Sequence, residues 1–209
     1  MALVVRADVV DIRADLPNPN DSFLVDTNVW YWLTYLPASQ SAQPYQIQQY
    51  PRYLKRSTAV GASLRYCGTT FAELAHLIES AEYKSFCVRQ GIQPNSQIKS
   101  KDFRHNYSNE RQDVQDEVGI SWGQVSAMAS IVDVPLNALT INASATLFGQ
   151  VCLDGYDLFT VEAMRQSGIL KIITDDKDFL TVPDIIVLTA NNSAIGAAQN
   201  AGKLRTRAA

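Results

Sequence analysis

Phe23-Leu24-Val25-Asp26-Thr27-Asn28-Val29 runs three apolar residues into a carboxylate, and a helical pattern opens directly behind it. A strand buried on both faces of a parallel sheet reads as such an apolar run, and in open α/β folds its end points to the carboxyl edge, where sites lie. Three further acids stand in similar contexts. They are Glu73 in Thr69-Thr70-Phe71-Ala72-Glu73-Leu74, Asp157 at the head of a helical pattern, and Asp176 in Ile172-Ile173-Thr174-Asp175-Asp176-Lys177-Asp178-Phe179. Strand and helix patterns alternate around them, which predicts an α/β chain built on a parallel sheet covered on both faces.

Outward from that strand, residues 1–21 alternate apolar and polar and close on Pro17-Asn18-Pro19-Asn20-Asp21, predicting a short edge strand and a turn. A helix is expected from Asn28 to Leu36, stopped by Pro37, and a second from Pro44 to Leu64, interrupted near Pro51. Arg65-Tyr66-Cys67 reads as a short strand. Phe71, Leu74, Ala75, Ile78 and Ala81 step by three and four, the spacing of a long helix opened by Thr70. A loop spans 91–100, and a polar stretch from Phe103 to Ala129 predicts one or two helices broken near Gly119. Ile131-Val132-Asp133-Val134 is a strand and Ala138–Gln150 a helix. Asp157–Gln166 is a helix closed by Gly168, followed by strands at 169–173 and 184–188. The tail from Ala190 carries no decisive pattern.

A chain of 209 residues with 46% hydrophobic and 19% charged residues fits one globular domain, 1–209. No transmembrane span is visible, and the first eight residues do not form a signal peptide, so a cytoplasmic protein is expected. Cys67, Cys87 and Cys152 are odd in number and widely spaced, as reduced thiols are. Two histidines are too few for a His-based zinc site. The net charge of −3 argues against a wholly basic nucleic-acid binder. A local rim of Arg52, Lys55 and Arg56 with Tyr50 and Tyr53 is expected to touch phosphates and bases; the competing reading is a solvated helix face.

Carboxylates brought to one sheet edge repel, and a hard cation such as Mg²⁺ or Mn²⁺ relieves that repulsion. Metal-assisted phosphoryl chemistry is therefore the first reading. Each acid also has a structural alternative. Asp26 is placed as a helix N-cap, and Thr70-Phe71-Ala72-Glu73 spells a capping box. Asp175, Asp176 and Asp178 fit a turn. Thr27 and Asn28 are suited to fixing Asp26 or capping its helix, Thr174 to holding a ligand water or phosphate, and Asp178 to a peripheral cap. Asp154 is either a carboxylate behind the ligands or a ligand itself, if its helix starts sooner. There is no Gly-rich phosphate loop.

The order of Val25-Asp26-Thr27-Asn28-Val29, Ala72-Glu73-Leu74 and the stretch from Asp157 through Gly168 to Thr174, Asp176 and Phe179 resembles PIN-domain nucleases, the family that includes ribonuclease toxins of bacterial toxin–antitoxin pairs. The resemblance covers about 22–80 and 132–190. It implies a three-layer α/β/α sandwich, with 82–131 as a helical insertion and 190–209 as a C-terminal tail. It implies that Asp26, Glu73, Asp157 and Asp176 hold one or two Mg²⁺ or Mn²⁺ ions and hydrolyse single-stranded RNA in line, with Asn28, Asp154, Thr174 and Asp178 accessory. It also implies homodimers and a small antitoxin-like partner. Phe159, Thr160 and Glu162 depart from the small-residue helix usual at that point of the family. The competing readings are a non-catalytic PIN-like module that binds nucleic acid or protein, and a haloacid-dehalogenase-type phosphohydrolase; the latter wants an acid where Asn28 stands.

Overall fold

A computed structural model describes residues 4–207; residues 1–3, at the head of the predicted strand-and-turn segment, and 208–209, at the end of the tail, lie outside it. Seven parallel strands form one sheet in the order β4-β3-β2-β5-β6-β1-β7. They are β1 (Asp8–Asp11), β2 (Ser22–Val25), β3 (Ser63–Cys67), β4 (Ser130–Val132), β5 (Lys171–Ile173), β6 (Ile186–Thr189) and β7 (Leu204–Arg205). The helices are α1 (Thr27–Thr34), α2 (Pro44–Ala59), α3 (Thr70–Arg89), α4 (Ser100–Asn106), α5 (Ser108–Met128), α6 (Ala138–Phe148), α7 (Gly155–Ser167) and α8 (Asn192–Asn200). Short 3-10 turns occupy Leu36–Gln40 and Lys177–Thr181.

Successive strand residues point to opposite faces, so each apolar strand feeds two cores. Val9, Leu24, Cys67, Ile172 and Val187 pack on one side against Leu147 of α6, Leu158, Val161 and Met164 of α7 and Ala194 and Ala198 of α8. Val10, Phe23, Val25, Leu64, Ile173 and Leu188 pack on the other against Trp30 of α1, Tyr50 and Tyr53 of α2, Leu74 and Ile78 of α3 and Val125 of α5. The architecture is the three-layer α/β/α sandwich. Between β3 and β4 the chain is helical, and Tyr83, Phe86, Cys87, Phe103 and Val114 give that region a small core of its own.

Several boundaries differ from the sequence expectation. Gly119 lies inside α5 without a break, because the helix is held along its length by packing against α1 and α3; the break falls at Tyr107 instead. Pro51 is likewise accommodated within α2, which ends at Ala59, and Gly61 turns the chain into β3 with a φ of +87°. Gly168 closes α7 with a φ of +71°, as its C′ role requires. The first strand is not an edge: β1 lies between β6 and β7, so the tail covers it. The tail docks, forming α8, β7 and then the contacts of Arg207. Phe159, Thr160 and Glu162 do not prevent close packing of α7; Thr160 and Glu162 are buried, the latter paired with Arg165 at 3.0 Å. Cys67 and Cys87 are buried, Cys152 is exposed, and none is in a disulfide. Among the described residues no helix is long and apolar enough to cross a membrane.

Candidate active site

From β2 the sheet continues through β3 and β4 on one side and through β5 and β6 on the other, so the winding reverses between β2 and β5. Crevices beyond the carboxyl ends of strands at such a reversal are where open sheets bind ligands. A cleft of about 290 Å³ opens there, and its walls carry Asp26, Glu73, Asp154, Asp157 and Asp176. Thr27, Asn28, His76, Leu77 and Tyr156 complete the lining. Four separate parts of the chain thus meet at one point.

Each carboxylate is fixed by its local fold. Asp26 ends β2 at the N-cap position of α1, yet its side chain makes no capping bond; Oδ2 accepts the Thr174 hydroxyl at 2.6 Å from the end of neighbouring β5. The capping box expected at Thr70–Glu73 does not form. Glu73 instead accepts the Thr27 hydroxyl at 2.6 Å through Oε2. Asp154 is the N-cap of α7: its Oδ1 accepts the amides of Tyr156 at 3.0 Å and Asp157 at 3.2 Å. The helix therefore starts two residues before Asp157, which sits in its first turn, buried, with no hydrogen bond to its carboxylate from the described residues.

The acids after β5 are sorted by α2. Asp175 is drawn away from the cleft by Tyr45 at 3.0 Å, Gln46 at 2.7 Å and Tyr50 at 2.7 Å. Asp176 faces the cleft, its amide donating to the Thr174 hydroxyl at 2.9 Å and its Oδ1 accepting the Asp178 amide at 2.8 Å. Asp178 is thereby part of the 3-10 turn and not of the cleft wall. Asn28 lines the cleft. Thr174 is fully buried and absent from the lining. Its hydroxyl is spent on Asp26, so it positions that acid and does not reach a water or phosphate. The Thr27 hydroxyl serves Glu73, not Asp26.

The electrostatics oppose ionisation. Burial, then the charges of Asp26, Asp154, Glu73 and Asp176, push the Asp157 carboxyl up to about 9. Burial pushes Glu73 to about 7, with Asp26 and Asp154 adding to it against the Thr27 bond. Burial likewise lifts Asp26 to about 6 despite the Thr174 bond, with the charge of Asp176 adding to it. Asp176 is raised by burial and by its acidic neighbours, against the Asp178 amide. The positive N-terminal ends of α1, α3 and α7 lie nearby, each worth about 0.3–1 kcal/mol to an anion. Burial and mutual repulsion win.

No Lys or Arg among the described residues lines the cleft. Nor is any group of three or more His, Cys, Asp or Glu side chains among them already gathered as a ligand set. The acids stand on the walls. Their all-oxygen chemistry and uncompensated charge nonetheless fit Mg²⁺ or Mn²⁺, hard cations that take carboxylate ligands and keep waters.

The expected rim on α2 needs correction. Tyr50 and Tyr53 are both 0% exposed. The Tyr50 hydroxyl holds Asp175 and that of Tyr53 donates to Asp15. Neither ring is open to a base. Arg56 donates to the Ile12 carbonyl at 2.8 Å, leaving only Arg52 and Lys55 exposed. His76 and Tyr156 are lining residues that the sequence reading missed. His76 lies one turn beyond Glu73, and that spacing was the available signal. No family model matches the chain, and comparison with curated proteins and with solved structures finds no match in either.

Proposed function

We propose that the chain is a metal-dependent endoribonuclease of the PIN type that hydrolyses phosphodiester bonds in single-stranded RNA. One observation carries the reading: Asp26, Glu73, Asp157 and Asp176 come from separate elements and line one cleft at the winding reversal, with no Lys or Arg among the described residues in its lining. These four would hold Mg²⁺ or Mn²⁺. Such an ion supplies, when bound, Lewis acidity toward water and toward a phosphodiester.

The chain's own residues do the rest. Thr174 and Thr27 each occupy one oxygen of Asp26 and Glu73, leaving Oδ1 and Oε1 for a ligand. The Asp178 amide does the same for Asp176, whose Oδ2 stays available. Burial and the neighbouring acids push the Asp157 carboxyl up to about 9, which favours its protonated form at neutral pH; a cation held there would oppose that shift. Asn28 and His76 add hydrogen-bonding groups without negative charge for a phosphodiester oxygen. A homodimer, an antitoxin-like partner and a cytoplasmic setting belong to the same reading.

The test is incubation of the purified protein with single-stranded RNAs of varied sequence in Mg²⁺ or Mn²⁺, with EDTA as control. Asp26→Asn and Asp157→Asn should lower the cleavage rate more than about a hundredfold, since loss of even the partners behind metal ligands costs ten- to a hundredfold. Absence of metal-dependent cleavage across the RNA set would overturn the reading and favour a binding module.

A further inference from the structure

We propose that a second groove, adjoining the acidic cleft, receives the RNA strand beside the bond to be cut, seating a base against Tyr31 and a phosphate at Lys84. This rests on the nuclease reading above. The groove measures about 470 Å³ and runs between α1, the 3-10 turn after it and α3. Leu77 lines both it and the acidic cleft, so the two share a wall.

The helix registers set the two side by side in a regular way. On α1, Thr27 and Asn28 line the cleft, and Tyr31, one turn on, lines the groove. On α3, Glu73, His76 and Leu77 line the cleft, then Leu77, Ser80, Ala81 and Lys84 line the groove. Steps of three and four keep these side chains on one face of each helix. At a rise of about 1.5 Å per residue, Glu73 to Lys84 spans about 16 Å, room for a few nucleotides of an extended strand.

The lining suits a single strand. The Tyr31 ring is half-buried and lies 5.3 Å from that of Tyr35, whose hydroxyl is tied to Glu82 at 2.5 Å. That bond holds the Tyr35 ring as a fixed backing, so Tyr31 presents its ring with little freedom to lose. Stacking on such a ring is tolerant of base identity. Lys84 is exposed and is the one cation among the described lining residues, while Gln40, Ser41, Ser80 and Ser85 bring neutral hydrogen-bonding groups. The negative charge of Glu82 behind the tyrosines is engaged by the Tyr35 hydroxyl. Unlike the α2 rim, this groove has its aromatic and basic groups together at an opening.

The experiment uses the full chain carrying Asp26→Asn, in Mg²⁺, and the fluorescence anisotropy of a short labelled single-stranded RNA. Tyr31→Leu, which keeps apolar volume and loses the ring, should raise Kd about tenfold, and Tyr31→Phe should bind like its parent. Lys84→Ala should weaken binding to all sequences alike and reduce the salt slope by about one ion. Thermal melts confirm folding; should Tyr31→Leu fail to fold, Ser80→Glu and Lys84→Glu decide, and both should weaken binding.

Folded Tyr31→Leu and Lys84→Ala variants with unchanged Kd and salt slope overturn the proposal. So do variants that keep RNA affinity but lose association with a protein partner, and a parent with no measurable RNA affinity. The cleavage assay separates the two readings. Cleavage that survives every groove substitution removes the groove alone. Groove-dependent binding by a chain that never cleaves removes the nuclease alone.

Discussion

Two sets of clustered carboxylates, each with buried members, sit in this molecule, and they are met in opposite ways. Asp15 and Asp21 are both 2% exposed in their side chains and are met by the chain's own cations. Arg207 forks onto both, bonding Asp21 at 2.9 Å, while Lys171 also binds Asp21 and the Tyr53 hydroxyl donates to Asp15. The guanidinium lies over the Phe23 ring, 5.6 Å from its centroid. Burial alone would raise the Asp21 carboxyl, but the bonds from Lys171, the Asn18 amide and Arg207 hold it below its usual value. In the cleft, the acids meet one another, and Asp157 rises to about 9. A carboxylate paired within the fold is structural. A set left unpaired is poised for something from outside.

The largest effect should come from breaking the paired set. Arg207→Ala leaves Asp15 without its cation in a buried place, and urea denaturation at neutral pH should show a loss of about 3–5 kcal/mol. Asp157→Asn, made in the cleft, should leave stability unchanged or raised in EDTA. If both substitutions destabilise alike, the contrast is wrong.

Adding a cation sharpens the same contrast. Mn²⁺ at a hundredfold excess over its dissociation constant should stabilise the wild type by about 2.7 kcal/mol. Asp26→Asn should gain far less while melting at least as high without metal. Equal gains would place the ion elsewhere.

The two sets should also fail at opposite ends of the pH scale. The cleft acids bind protons more tightly folded than unfolded, so their contribution is present below their ordinary values of 3.8 and 4.5 and is lost as pH rises through about 6, 7 and 9. Asp21 is shifted down, so its contribution is present above 3.8 and lost in acid. Urea midpoints in EDTA should fall between pH 5 and 9 for the wild type and fall less for Asp157→Asn. A wild-type curve flat over that range would deny the mutual repulsion.

The smallest effect concerns the hydroxyl that fixes Asp26. Thr174→Val should cost about 1 kcal/mol by urea denaturation, with Thr174→Ser recovering most of it. A loss that Thr174→Ser does not recover would mean that the methyl group matters more than the bond.

What the sequence made legible was local. An apolar run ending in an acid states both the buried strand and the edge its carboxylate reaches, so the same stretches that predict β2 and β5 also mark Asp26 and Asp176. Asp154-Gly155-Tyr156-Asp157 was harder, because either aspartate suits a helix start, and only the backbone geometry assigns the cap to Asp154. Tyr50 and Tyr53 stand beside Arg52 in sequence but not on the same face of α2. Their spacing with Leu54 and Ser57 already marked the buried stripe of α2. The pairing of Arg207 with Asp15 and Asp21, and the cover that β7 gives β1, are contacts between distant parts of the chain. No window of sequence contains them.

The place of β5, inserted between β2 and β6, has a consequence for synthesis. A chain emerging from the ribosome carries Asp26 and Glu73 long before Asp157 and Asp176 exist, and β2 has only β3 to pair with until Lys171–Ile173 arrives. Strand pairs this far apart in sequence must overcome loop closure before any contact rewards it, which makes them slow. From Glu73 until Asp154 emerges the nascent chain therefore carries two of the five cleft acids, and the cleft is complete only once Asp176 has followed β5.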